Sequence, residues 1–180
     1  MKSHLIGPST ERLELRAIET SDAEALYQLC SHPDVMRYTG EEPLGSLEEA
    51  EKAIAEYPDF ETVGYGRWGC VLKGQQTIIG FCGLKYLPEF DAVDLGYRFL
   101  PEHWGQGLAT EACRVSLQFG FEVLGLNHIM AMVLPENLAS IRVLEKIGMQ
   151  HEGKIDYEGL RPLLFGINRP KPHRKSDSTF

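Results

Sequence analysis

The chain has 180 residues, 43% of them hydrophobic and 24% charged, with a formal charge of −8. This is the profile of one globular domain with room for a full core, and no apolar run approaches the roughly 18 residues that a membrane span requires. Without the segment NRPKPHRKSDSTF (168–180) the body holds 14 basic against 25 acidic residues, a surplus that repels nucleic acid and attracts cationic ligands.

The opening MKSHLIGPSTERLELR lacks the apolar core of a signal peptide, so the expected setting is cytoplasmic. TERLELRAI (10–18) alternates Leu13, Leu15 and Ala17 with Glu14 and Arg16 and reads as a strand. Ser21 and Glu24 have the spacing of a capping box opening a helix through about Cys30. Ser46 and Glu49 open a second helix that ends before Pro58. From Arg67 to Leu100, three apolar runs separated by KGQQ and PEFDA read as an antiparallel meander. In its last run Val93, Leu95, Tyr97 and Phe99 share one face, and Asp94, Gly96 and Arg98 the other.

A helix follows from about Gly107, with Gly125 as its stop. HIMAMVL (128–134) is an apolar strand. PENLASIRVLEKIGM then gives a shorter helix, with Leu138, Ile141, Leu144 and Ile147 inward and Gly148 as its cap. KIDYEG and RPLLFGIN are read as two closing strands. The order is β-α-α-β-β-β-α-β-α-β-β, an α/β class with a mixed sheet. Residues 1–168 form a single domain on this reading, and 169–180 form a basic, disordered tail. Cys30, Cys70, Cys82 and Cys113 show no metal-ligand spacing with one another or with the six histidines, so no metal is expected.

The stretch WGQGLATEA (104–112) places Gly105 and Gly107 at a helix entrance. Unpaired N–H groups and the positive end of the helix dipole converge there, the ingredients of an anion site. Thr110 stands where the dinucleotide fingerprint needs glycine or alanine, which weakens a nucleotide-binding oxidoreductase, and no P-loop string is present.

Taken with Asn137, Ser140 and the run EKIGM downstream, WGQGLATEA makes the chain resemble the GNAT acetyltransferases, and within them the RimJ/RimL-type N-acetyltransferases, from about Thr10 to Asn168. The resemblance implies a mixed, mostly antiparallel sheet splayed at its fourth and fifth strands and flanked by about four helices. It implies acetyl-CoA as cosubstrate, its pyrophosphate held by backbone amides of Trp104, Gly105, Gln106, Gly107, Leu108, Ala109 and Thr110. Trp104 occupies the position where the motif Q/R-x-x-G-x-G/A has a polar side chain. The coenzyme arm would enter the splay against backbone groups of Phe99 and Leu100, an opening that Gly96 with an adjacent bulge would suit.

By the same resemblance Asn137 meets the pantetheine amide and Ser140 stands near the thioester sulfur. A tyrosine that serves as acid elsewhere in the family falls here on Glu145. Amine acylation needs a base, donors for the oxyanion and a stabilised thiolate. Asp94 is the first candidate base, acting through water. The alternatives are a solvated surface aspartate, or a carboxylate that binds a cationic amine without deprotonating it. Glu41, Glu42 and Glu89 are the other candidates, on loops. Tyr38, Trp68, Tyr97 and Trp104 either line the acceptor pocket or belong to the core, and Glu111 is read as helix-dipole chemistry.

The expected activity is acetyl transfer from acetyl-CoA to a primary amine, either a protein N-terminus or a polyamine or other small amine. A non-catalytic acyl-CoA-binding module is the competing class. The sequence leaves a homodimer open.

Overall fold

The computed structural model describes residues 4–171; most of the expected tail lies outside them. One eight-stranded sheet organises the chain, in the order β1-β2-β3-β4-β5-β6-β8-β7. Its strands are β1 (Ile6–Ser9), β2 (Leu13–Arg16), β3 (Arg67–Leu72), β4 (Ile78–Leu87), β5 (Ala92–Phe99), β6 (His128–Val133), β7 (Gln150–Lys154) and β8 (Leu163–Asn168). The helices are α1 (Ala23–Ser31), α2 (Pro33–Met36), α3 (Leu47–Ala55), α4 (Asp59–Thr62), α5 (Leu108–Glu122) and α6 (Leu138–Lys146). Two of these, α2 and α4, are single turns, which leaves the four longer helices expected. Among the described residues no helix is long and apolar enough to cross a membrane.

All strand pairs are antiparallel except β5 and β6, which run parallel and meet at one register pair, Asp94 with Met130. Beyond that pair the two strands part, and this is the expected splay. It needs no bulge beside Gly96: β4 and β5 stay in unbroken register from Leu87–Ala92 to Gly80–Phe99. The two faces of the sheet are buried separately. On one, Leu13, Leu15, Trp68, Leu84, Leu95 and Phe99 pack with Leu108, Leu117 and Leu144 of α5 and α6. On the other, Val71, Ile78 and Phe81 pack with Leu26, Leu29 and Ala50 of α1 and α3.

Several local readings are corrected. The strand read in TERLELRAI is β2, and a further strand precedes it, β1, which the sequence hides because it holds Gly7 and Pro8 and carries no apolar alternation. Ser21 and Glu24 do not form the capping box. Glu19 and Asp22 do, and Asp22, only 4% exposed, also receives both Nη atoms of Arg16 at 2.6 and 2.9 Å. Ser46 does cap α3 by accepting the Glu49 N–H, while the Glu49 carboxylate reaches Gly45 instead of Ser46. Leu138 is 59% exposed, and α6 buries only its later apolar positions. KIDYEG is a turn and not a strand: Glu158 has φ +48° and Tyr157 bridges Leu160 across it, while the edge strand is the polar QHEGK before it. The four cysteines are free thiols buried in the interior.

Candidate active site

The parted strands open a cleft of about 810 Å³ that reaches from the glycine loop to the far face of the sheet. Pro101–His103 makes a single helical turn after β5, and the chain then enters α5 with Gly105 at φ +72° and Gly107 at φ +80°, both left-handed. Three carbonyls of this corner are taken up by side chains. Trp104 Nε1 donates to Phe99 O at 2.6 Å, Gln106 Nε2 to Glu102 O at 2.8 Å, and Arg12 Nη1 to Gln106 O at 3.0 Å. The Trp104 N–H, expected among the phosphate donors, instead donates to Pro101 O at 3.0 Å, while the six that follow, Gly105 to Thr110, have no acceptor among the described residues. Carbonyls bound and amides free is the polarity that an anion requires. The loop therefore fits a pyrophosphate, and Trp104, 49% exposed, pins the corner in place of the polar side chain found elsewhere in the motif.

Glu111 does more than complement the dipole. It accepts from Thr10 Oγ1, from the Arg12 N–H at 3.0 Å and from Arg12 Nε at 2.7 Å, tying the start of α5 to the β1–β2 turn. Partial burial pushes its carboxyl up, but these bonds together outweigh it and hold the group below its ordinary value.

β-strand alternation decides which backbone groups face the splay. Leu100 donates its N–H to Ile79 O at 3.0 Å and its carbonyl accepts from the His103 N–H at 3.0 Å, so Leu100 is fully engaged. Phe99 and Tyr97 turn the other way, toward the gap, and the Phe99 carbonyl is held by Trp104. The Phe99 N–H and the Tyr97 backbone thus form the edge that an extended coenzyme arm can pair with, and Leu100 does not contribute as expected.

Asp94 is not a solvated surface aspartate. Only 4% exposed, it lies at the point where β5 and β6 part and takes Arg67 Nη2 at 2.8 Å. Burial pushes its pKa up, against the opposing pull of the Arg67 charge and hydrogen bond and of the Met132 N–H. Arg67 had no signal of its own in the sequence, since it sits 27 residues away. Register explains it: Arg67 pairs with Gly83 and Gly83 with Gly96, and the side chain runs along that row. A Cβ at Gly96 would stand 2.4–2.6 Å from the guanidinium, so Gly96 serves to admit Arg67.

The same face carries a second pair, Arg98 Nη2 with Glu41 at 2.7 Å, and both guanidiniums lie over the Phe81 ring at 5.4 and 6.0 Å. Of the loop carboxylates, Glu41 lines the cleft and Glu42 and Glu89 do not. Tyr38 and Trp104 line it as well, whereas Trp68 is fully buried core.

Across the gap, Asn137 caps α6, its Oδ1 accepting the Ser140 N–H at 3.1 Å, which leaves its NH₂ available to a carbonyl in the cleft. Ser140 Oγ lies 2.6 Å from the hydroxyl of Tyr97. Asp94 and Ser140 therefore border one cleft from opposite faces of the sheet. Glu145 is exposed and outside the cleft lining.

Comparison with known proteins gives the family and the fold. The model of the acetyltransferase (GNAT) domain family matches residues 12–150. An uncharacterised N-acetyltransferase, p20, of Bacillus licheniformis is 35% identical over 88% of this chain and 90% of its own length. The spermidine N(1)-acetyltransferase of Escherichia coli K12 is 30% identical over 84% of this chain and 80% of its own. Among solved structures, a GNAT-family acetyltransferase from Bacillus anthracis superposes with a TM-score of 0.75 at 30% identity, covering 89% of this chain and 97% of that one.

Proposed function

The chain belongs to the GNAT acetyltransferases and is an N-acetyltransferase, and from that premise we propose that it passes the acetyl group of acetyl-CoA directly to the α-amino group of a protein or peptide N-terminus, both substrates bound together. Acetyl-CoA supplies the activated acyl carbon as a thioester. The observation that carries the reading is the loop with six free amides, continuous with a gap that has a buried carboxylate on one side and a hydroxyl on the other.

On the coenzyme side, the amides from Gly105 to Thr110 hold the pyrophosphate, the Asn137 NH₂ receives an amide carbonyl of the arm, and the Phe99 N–H faces the oxygen on which charge develops. On the acceptor side, Asp94 takes the ammonium proton through a water. Much of the acceleration comes from holding amine and acyl carbon together between the strands.

The acceptor end supports an N-terminus over a purely cationic amine. Its floor holds guanidiniums beside carboxylates, Arg67 with Asp94 and Arg98 with Glu41, and an α-amino group flanked by peptide carbonyls suits both signs. A polyamine is the second reading, favoured by the likeness to the spermidine enzyme. Comparing kcat/KM for short N-terminal peptides with that for spermidine and spermine separates them. We expect the peptides to be preferred; a preference for the polyamines would reverse the assignment.

A pH profile tests the role of Asp94. A base must be ionised to act, so kcat/KM should fall as pH drops through the raised pKa of this carboxyl. Arg67→Met removes the main influence favouring the ionised form, and the acidic limb should move to higher pH. An unmoved limb would assign that limb to another group.

A further inference from the structure

The Tyr97–Ser140 contact has no counterpart in the scheme above. Tyr97 projects from β5 on the face covered by α5 and α6, and Ser140 stands in the first turn of α6, 43 residues away in sequence. Their hydroxyls meet at 2.6 Å, and the tyrosine hydroxyl is also 3.5 Å from the Ser140 carbonyl oxygen. Both residues border the cleft. Resting on the reading that places the thioester sulfur beside Ser140, we propose that Tyr97 is a positioning residue: by donating its hydrogen bond to Ser140 Oγ, it turns the single Ser140 proton toward the sulfur.

The direction follows from the two acids involved. A phenol is a much stronger donor than an aliphatic alcohol, so the shared hydrogen belongs on Tyr97 and Ser140 Oγ is the acceptor. A serine hydroxyl has one proton and two lone pairs; with one lone pair accepting from Tyr97, its proton cannot go back to that partner and is left for the cleft. Burial pushes the Tyr97 pKa up, so the phenol stays protonated and remains a donor throughout the working pH range. The chain of two hydroxyls ends in the first turn of a nine-residue helix, where the dipole also favours negative charge.

When the C–S bond breaks, its electron pair goes to sulfur. The Ser140 O–H stabilises the thiolate by donating to it, and Tyr97 keeps its own proton. Final protonation of the thiolate comes from solvent, and no net proton leaves the hydroxyl pair. Position 145, where the family resemblance would place a tyrosine acid, is glutamate and outside the cleft, so the hydroxyl that supports the leaving group is that of Ser140 on α6, held in place by Tyr97 from the strand.

The test reads the thiol of CoA bound to the protein, which requires no acceptor. The thiolate ultraviolet band, taken as a difference against bound desulfo-CoA, is followed over pH for the wild type, Tyr97→Phe, Ser140→Ala and the double variant. The bound thiol should titrate below free CoA in the wild type. Tyr97→Phe should raise it by about half a unit or more, the size of one hydrogen bond. Ser140→Ala should raise it at least as far, and the double variant no further than Ser140→Ala alone. The kcat values should fall in the same order, with CoA affinity nearly unchanged.

A silent Tyr97→Phe, or shifts that add in the double variant, would overturn the role of Tyr97 and leave the Ser140 assignment standing. A bound thiol that ignores Ser140→Ala would place the sulfur elsewhere and overturn both.

Discussion

Replacing Gly107 with valine is expected to lower acetyl-CoA affinity by at least about 100-fold, roughly 2.7 kcal/mol, measured by calorimetry. Gly107 is the entry residue of α5 at φ +80°, a conformation in which a β-branched residue is a steric outlier. The space around it is not the obstacle, since an added Cβ would have only Arg12 Nη2 nearby, at an ordinary 3.6 Å. What valine disturbs is the turn that aims six amides at one point, each charge-assisted bond to a phosphate oxygen contributing about 1.5–3 kcal/mol. The strain itself costs about 1–2 kcal/mol, so the variant should remain folded with a modestly lower Tm. Wild-type affinity in Gly107→Val would mean that the pyrophosphate does not bind at this loop.

Asp94→Asn is expected to reduce kcat by about 10²–10⁴, the range associated with a lost general base. The substitution keeps the shape of the side chain but leaves Arg67 without its counter-ion. Stability should therefore drop by about 2–3 kcal/mol, less than a fully buried pair would cost because Arg67 keeps some exposure. The decisive pattern is a large loss in kcat, an unchanged CoA affinity and the disappearance of the acidic limb from the pH profile. If Asp94→Asn turns over normally at every pH, the carboxylate binds or orients and another group takes the proton.

These two residues also show what a sequence can and cannot disclose. Gly107 was legible because its neighbours carry the whole argument: a glycine pair, then helix formers, then no competing fingerprint. The meander and the α5 helix were legible for the same local reason. Asp94 was legible as a candidate only. Whether it faced water or a cleft depended on what crosses β5, and the residue that crosses it, Arg67, enters through the register of three strands.

Tyr97 was similarly ambiguous, since strand alternation put it on the core face while its hydroxyl finds a partner on a helix far along the chain. The misread elements have physical reasons too. KIDYEG has the composition of a strand, but Glu158 takes a left-handed φ beside Gly159 and turns it. The real edge strand, QHEGK, is solvent-facing and so shows no apolar period. Asp22 displaced the Ser21 box because Arg16, on the preceding strand, offered its carboxylate a bidentate partner.

In the proposed reaction one cleft brings acetyl-CoA and a primary amine together for direct transfer. Incubating the protein with acetyl-CoA and the preferred peptide, then counting acetylated N-termini by mass spectrometry against free thiol, tests it most directly. Direct transfer predicts one acetylated amine for each thiol released, with neither formed when the other substrate is omitted. Tight CoA binding with no acetylated product from any amine would contradict it and leave a coenzyme-binding module without turnover.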